Sequence, residues 1–312
     1  SGKKALALDE KREVAHWLVR QRKRSVRRVC KLLCLSQSVF RYAPRHKDDI
    51  EVIEHMNHWV RKKASWGFWK VYTRVRKDGR VVNHKRLHRL YRAAGLSKRR
   101  RTKHRVPERV KEPLCLPIGP NITWSMDFMA DRLLNGNKLR TFNVIDDFGR
   151  EALSITIDTS IRAQYVTREL DKLIEWRGKP ERLRVDNGPE FIAQEMELWA
   201  ERNGIEITFI EKGRPMQNGL IERFNRTYRE EVLDAYLFES LEQLRELTSE
   251  FIWSYNNERP HDALMDNTPR EFLLKCGQLP AHYTGPRAEF PTFQQDDHTK
   301  ITEMVIFRNS RT

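Results

Sequence analysis

The stretch Thr123-Trp124-Ser125-Met126-Asp127-Phe128-Met129 sets a large apolar side chain at every second position, the period of a β-strand whose two faces meet different surroundings. Two further runs, Leu139 to Ile145 and Ala152 to Ile157, flank an Asp147-Phe148-Gly149 turn, so the three together predict an antiparallel meander. Beyond them the period alternates. Residues 162–176 read as a helix, Leu183-Arg184-Val185 as a short buried strand ending at Asp186-Asn187-Gly188-Pro189, and residues 193–203 as a helix. Residues 205–209 follow as a strand and 217–232 as one long helix. Antiparallel strands followed by alternating helix and strand imply an α/β domain, a mixed sheet with helices on its faces.

Ahead of this domain the composition shifts. The chain has 312 residues, 59 Lys and Arg against 43 Asp and Glu, and a net charge of +16. Residues 1–112 hold 34 basic and 10 acidic side chains, whereas the remainder holds 25 and 33. So cationic a front suits a polyphosphate partner, because each Lys or Arg that neutralises a phosphate releases condensed counterions. Collagen-like, mucin-like and membrane-spanning chains are excluded, since no apolar run approaches the roughly 20 residues a membrane helix needs. Four scattered cysteines make no disulfide framework. The opening Ser1-Gly2-Lys3-Lys4 has no apolar signal core, as expected of a trimmed or internal piece of a cytoplasmic protein.

The basic front is patterned as helices. Asp9 is read as the cap of a helix to Gln21 with Val14, Trp17, Leu18 and Gln21 on one face; Ser25 caps a second through Leu33, and Ser36 opens a third with Val39, Phe40 and Tyr42. Two short helices joined by a tight turn form a helix-turn-helix, whose second member enters a major groove. Residues 48–64 and 66–75 predict two more helices. Asn83 then caps a strongly basic one carrying Lys85, Arg86, Arg89 and Arg92, ending at Gly95, with His84 and His88 placed for phosphate contact. Lys98 to Pro107 has no apolar period and reads as an extended basic linker.

The chemistry rests on Asp127, Asp186 and Glu222, read as mid-strand, strand end and early helix, which the topology brings to one sheet edge. Such a carboxylate cluster is costly in a folded core unless a cation neutralises it, and hard oxygen ligands select Mg²⁺ or Mn²⁺. Two ions about 3.5–4 Å apart would activate an attacking oxygen and stabilise a leaving one in a phosphodiester displacement. Asp146 and Asp147 read instead as turn residues, and Glu190 as either a helper of the site or a favourable charge at a helix start. His16, Cys30, Cys34 and His46 do not have zinc-ligand spacing; the two cysteines are expected in the helical core.

The sheet topology resembles the ribonuclease H-like nucleotidyl-transfer domains. The words around the acids go further: Trp124-Ser125-Met126-Asp127, Val185-Asp186-Asn187-Gly188-Pro189-Glu190-Phe191 and Pro215-Met216-Gln217-Asn218-Gly219-Leu220-Ile221-Glu222-Arg223-Phe224-Asn225 resemble the DDE transposases and retroviral integrases. With 35 residues between Asp186 and Glu222, and Tyr255-Asn256-Asn257-Glu258-Arg259-Pro260-His261 with Thr268-Pro269 downstream, the chain is similar to the second-frame catalytic proteins of the IS-three family of insertion sequences. The resemblance covers about residues 9–275. It implies a metal-dependent transposase that cuts one strand at each element end and joins the freed 3′-OH to another phosphodiester. Asp127 would bridge two Mg²⁺ or Mn²⁺ ions, Asp186 would hold one and Glu222 the other, and Arg229, seven residues after Glu222, would join Arg226 in reaching the terminal DNA.

The expected partners are double-stranded DNA, both element ends and target, further copies of this chain in at least a dimer on paired ends, and the upstream-frame protein; a bacterial, nucleoid-associated setting follows. DNA contacts are expected from Gln217 and Asn218, from Ser36, Gln37, Ser38 and Arg41, from Asn83, Lys85, Arg86 and Arg89, and from Arg99, Arg100, Arg101, Lys103 and Arg105. The expected domains are a helix-turn-helix (1–46), a second helical DNA-binding domain (47–97), a basic linker (98–120), the catalytic core (121–235), a helical extension (236–284) and a tail of unassigned role (285–312). A catalytically silent DNA-binding regulator and a ribonuclease H-like nuclease are the alternatives. Intact acids at all three positions argue against the first, and strand joining separates the enzyme from the second.

Overall fold

The computed structural model describes residues 7–42, 49–98, 117–211 and 215–277. The expected linker contacts Arg99, Arg100, Arg101, Lys103 and Arg105, together with His46 and the 285–312 tail, lie outside the described residues. Two compact units divide the chain, one ending at Glu51 and one beginning at Val52.

The first unit holds α1 (Leu8–Gln21), α2 (Val26–Leu32) and α3 (Gln37–Arg41) around Ala15, Val29, Cys30, Leu35 and Phe40. Its details depart from the periodic reading. The cap of α1 is Ala7 rather than Asp9, because Glu10 reaches back and its carboxylate accepts the Ala7 N–H at 2.8 Å. The buried face centres on Ala15, small enough for close helix approach, while Trp17 turns out to 51% exposure under the Arg22 guanidinium. Cys34 is likewise outside the core: it is exposed at φ +52° in the turn between α2 and α3. His16 stacks on Phe40 at 4.4 Å.

In the second unit, α4 (Ile50–Lys62), α5 (Phe68–Lys77) and α6 (His84–Ala93) enclose Met56, Trp59, Trp66, Val71, Val75, Leu87 and Tyr91. Trp59 and Trp66 stack at 5.6 Å, and the Trp59 indole N–H donates to Asp78 at 2.6 Å. Asn83 caps α6 as expected, its side chain accepting the Lys85 N–H.

The expected mixed sheet follows in the order β3-β2-β1-β4-β5. Strands β1 (Thr123–Arg132), β2 (Lys138–Asp146) and β3 (Glu151–Asp158) form the antiparallel meander. β4 (Arg182–Val185) adds parallel to β1, and β5 (Glu206–Phe209) parallel to β4. Alternation sends Trp124, Met126, Phe142 and Val144 to one face, against α7 (Ala163–Arg177) and α9 (Gln194–Asn203), with α8 (Pro189–Ile192) at the end of β4. Leu139, Ile145, Ile155 and Ile157 face the other way, against α10 (Gly219–Tyr228) and α11 (Leu241–Asn257).

The helix expected over 217–232 is broken in three. A 3₁₀ turn, Pro215–Asn218, leads into α10, and a π turn, Arg229–Leu233, ends it. Arg229, the first residue of the π turn, reaches the end of β1, where it donates to Asp131 at 3.2 Å and to the Ala130 carbonyl at 3.1 Å. The Tyr255–His261 segment works as a strut. Asn256 donates to and accepts from the Ala152 backbone at 2.9 Å each, replacing a missing strand partner on the sheet-edge strand β3. Beside it Lys62 donates to Glu258, Ser65 to Glu231 at 2.7 Å and Arg259 to Glu231, while Lys77 pairs with Glu271 of α12 (Pro269–Lys275). Thus α4 and α5 are tied by polar contacts to the helical extension. Thr268 and Glu271 cap α12 reciprocally.

Candidate active site

Asp127 lies in the middle of β1, half-buried between strand and α10. Its Oδ1 accepts the Phe128 N–H at 2.8 Å and its Oδ2 accepts the Asn225 amide at 2.8 Å. The Asn225 oxygen in turn accepts from Asn143 at 2.7 Å, and Asn143 is the residue directly opposite Asp127 on β2. This amide chain fixes which way Asn225 points: with its oxygen taken by Asn143, its NH₂ must face the carboxylate.

The other two acids come from neighbouring elements. The β1–β4 register runs Trp124 to Leu183 and Ser125 to Arg184, so two residues further on it brings Asp127 level with Asp186, just past the end of β4. Asp186 is held by the Gly188 N–H at 3.0 Å, and a β-carbon at Gly188 would sit 2.9 Å from its Oδ1, so a side chain there would displace the carboxylate. Glu222 is exposed in the first turn of α10, three residues before Asn225 and therefore on the same helix face. Burial pushes the Asp127 carboxyl up to about 6, and the negative charges of Asp186 and Glu222 push the same way, against the Phe128 and Asn225 hydrogen bonds. The three acids therefore lie in one another's field.

Among the described residues no trio of acid, His or Cys side chains is gathered closely enough to cage an ion by itself. The donor chemistry fits a hard divalent cation nonetheless. Each Asp127 oxygen accepts one N–H and keeps a lone pair, none of the described residues bonds a cation to it, and its charge is disfavoured by two neighbouring carboxylates.

The remaining expected residues sort by their surroundings. Arg226 is exposed, four residues past Glu222 on the same face. Arg229 is committed to Asp131 and Ala130, and Gln217 accepts the Glu211 N–H at 2.9 Å. Asn218, expected to face DNA, is instead 3% exposed where the 3₁₀ turn meets α10, which leaves its side chain no route to a duplex. Ser36, Gln37, Ser38 and Arg41 are exposed on α3, with the Ser36 hydroxyl accepting the Val39 N–H. On α6, Lys85, His88, Arg89 and Arg92 line one exposed stripe, and Arg86 is half-buried. Glu190 is paired with Arg140, whose guanidinium lies 4.5 Å from the Phe128 ring centre; burial opposes the Glu190 charge, but the Arg140 bond holds its carboxyl below the usual range. Asn143, Asn225 and Arg140 were invisible to periodicity. The sequence signal for Asn143 was a lone amide between Phe142 and Val144.

Comparison with known proteins follows the same division. Integrase core domain models match residues 118–215 and 203–269, and an HTH-like domain model matches 46–104. The chain is 38% identical over 253 residues, 80% of its length and 91% of the relative's, to "Insertion element IS407 uncharacterized 31.7 kDa protein" of Burkholderia multivorans. It is 36% identical over 270 residues, covering 86% of this chain and 78% of the relative, to "Insertion element IS476 uncharacterized 39.2 kDa protein" of Xanthomonas euvesicatoria. With "Transposase InsD for insertion element IS2D" of Escherichia coli it shares 25% identity over 242 residues, 73% of this chain and 80% of that one.

Proposed function

We infer, from the membership of this chain in the IS-three-type insertion-element transposases with an integrase core, that Asp127, Asp186 and Glu222 are the acids of its DDE strand-transfer site. The chain is a DNA transposase, a polynucleotidyl transferase of the DDE type. The observation that carries the site assignment is the half-buried Asp127, whose charge is opposed by Asp186 and Glu222 alike.

In this reading the three carboxylates hold Mg²⁺ or Mn²⁺, two ions per site. When bound, the ions supply activation of the attacking oxygen and stabilisation of the leaving one. The chain's own residues do the rest. Asn143 and Asn225 hold the Asp127 carboxylate in one orientation, and the Phe128 N–H fixes its other oxygen. Gly188 keeps Asp186 turned back over its own backbone. The stripe on α6 neutralises phosphates of the element end, α3 offers a second polar surface of the same kind, and the active assembly joins at least two copies on paired ends. Among the described residues no helix is long and apolar enough to cross a membrane.

The test incubates the full chain with a labelled duplex carrying an element end, Mg²⁺ and a target duplex, alongside Asp186→Asn. The wild type yields cut and joined products, and the variant loses both by about a thousandfold or more while keeping its fold and duplex binding. Cutting without joining would point to a nuclease. Equal joined product from both proteins would remove Asp186 from the site.

A further inference from the structure

The strand-transfer reading leaves unused an aromatic cleft beside the first turn of α6. We propose that this cleft, about 670 Å³ and lined by Trp69, Tyr72, Thr73, Arg76, Asp262, Asp266 and the Glu271-paired Lys77, takes an unstacked nucleobase from the DNA that α6 holds.

Trp69 is 63% exposed, yet its ring is already oriented: Phe68 and Tyr72 meet it edge-on at 5.2 and 5.9 Å, and the His84 ring lies 6.0 Å away, tilted by 32°. A fixed, wet indole face is a stacking platform that loses little freedom when a flat partner covers it. Its place in the fold says which partner. His84 is the first residue of α6, and the N-terminal residues of a groove-reading helix are the ones that approach base edges. Trp69 and Tyr72 therefore stand at the end of the stripe formed by Lys85, His88, Arg89 and Arg92, where the duplex itself would pass.

The charges of the cleft set the ligand's orientation. Its far wall carries Asp262 and Asp266, exposed carboxylates on a loop closed by the His261 N–H donating to the Asn267 carbonyl at 3.1 Å. That wall repels phosphate and accepts N–H groups from a base edge. Arg76, exposed on the near rim with its guanidinium 5.8 Å from the Tyr72 ring centre, is placed for the phosphate. Base inward and backbone outward satisfies both walls; an intact duplex, whose bases are stacked away, satisfies neither.

The inference rests on α6 as the DNA-facing helix, so the experiment separates the two. Full-length protein is titrated against a fluorescent single strand of about ten nucleotides and, separately, a blunt duplex of the same length. Trp69→Ala is expected to weaken single-strand binding about tenfold and leave duplex binding unchanged, while Trp69→Phe keeps most of the single-strand affinity. Unchanged single-strand affinity in Trp69→Ala overturns the base-binding cleft, and so does an equal loss on both probes, which would make Trp69 part of duplex docking. Combined Lys85→Ala and Arg92→Ala form the other arm, expected to weaken the duplex. If duplex binding survives it, α6 is not the DNA helix and the source of the base is lost with it.

Discussion

Asp127 lies in β1 and Asp147 in the turn that follows β2, and loss of water pushes both up to about 6. Their company differs in sign. Asp147 is fully buried and paired with Arg184 at 2.7 Å; next to it Asp146 accepts the Asn121 N–H at 2.8 Å, and Arg177, also fully buried, holds Glu151 through two bonds at 2.7 and 3.0 Å. Asp127 has two amide donors and, for charged neighbours, Asp186 and Glu222. A raised carboxyl alone thus does not mark a site. What separates the two acids is that Asp147 has Arg184 beside it, whereas among the described residues Asp127 has no cation bonded to it.

The contrast can be broken by substitutions of opposite expected sign. The largest effect is expected at Arg177: Arg177→Ala takes the guanidinium away from Glu151 and Asp146 in the core and lowers stability by about 3–5 kcal/mol in urea unfolding. A loss below about 1 kcal/mol would mean that the buried network is incidental.

Asp127→Asn moves the other way. The folded protein binds the Asp127 proton more tightly than the unfolded chain, so this group's contribution is favourable below pH 3.8 and declines as pH rises toward about 6. Removing the charge should therefore stabilise the ion-free protein near neutral pH by about 2 kcal/mol and flatten part of the stability loss between pH 4 and 6. The Asp147 share of that slope persists in the variant, which makes the difference between the two proteins the quantity to read. A destabilised Asp127→Asn would place Asp127 with the structural acids.

The smallest effect is expected one step back from the acids. Asn225→Ala leaves the Asp127 carboxylate without its amide clamp and should lower strand transfer about tenfold, with Asn143→Ala doing the same through loss of Asn225's orientation. If the double variant loses no more than either single one, the two amides act as one chain; additive losses would show that they act separately.

How much of this was legible in sequence follows from how far apart the cooperating residues are. The meander, both parallel strands and the caps at Ser36 and Asn83 come from local period and local hydrogen bonding, and they stand where expected. The three acids are proposed from sequence because a mid-strand position, a strand end and an early helix turn are recognisable from local pattern. Glu10 closing on Ala7, the buried Arg177 and the Asn143–Asn225 chain depend on geometry that residue spacing alone does not fix. The π turn is not legible for a related reason: Arg229 to Leu233 keep a helical pattern, and local period does not separate an α turn from a π turn. The Tyr255–His261 segment was read as a family mark. In the fold it is a structural strut, with Asn256 on the sheet edge and Glu258 and Arg259 in the polar contacts that tie in α4 and α5.

The proposal that Asp127, Asp186 and Glu222 together take up divalent ions is tested most directly by calorimetric titration of the full chain with Mn²⁺. Saturable uptake by the wild type, lost in both Asp127→Asn and Asp186→Asn and kept in Asp147→Asn, is the predicted result. Uptake as tight in either of the first two variants as in the wild type would contradict it.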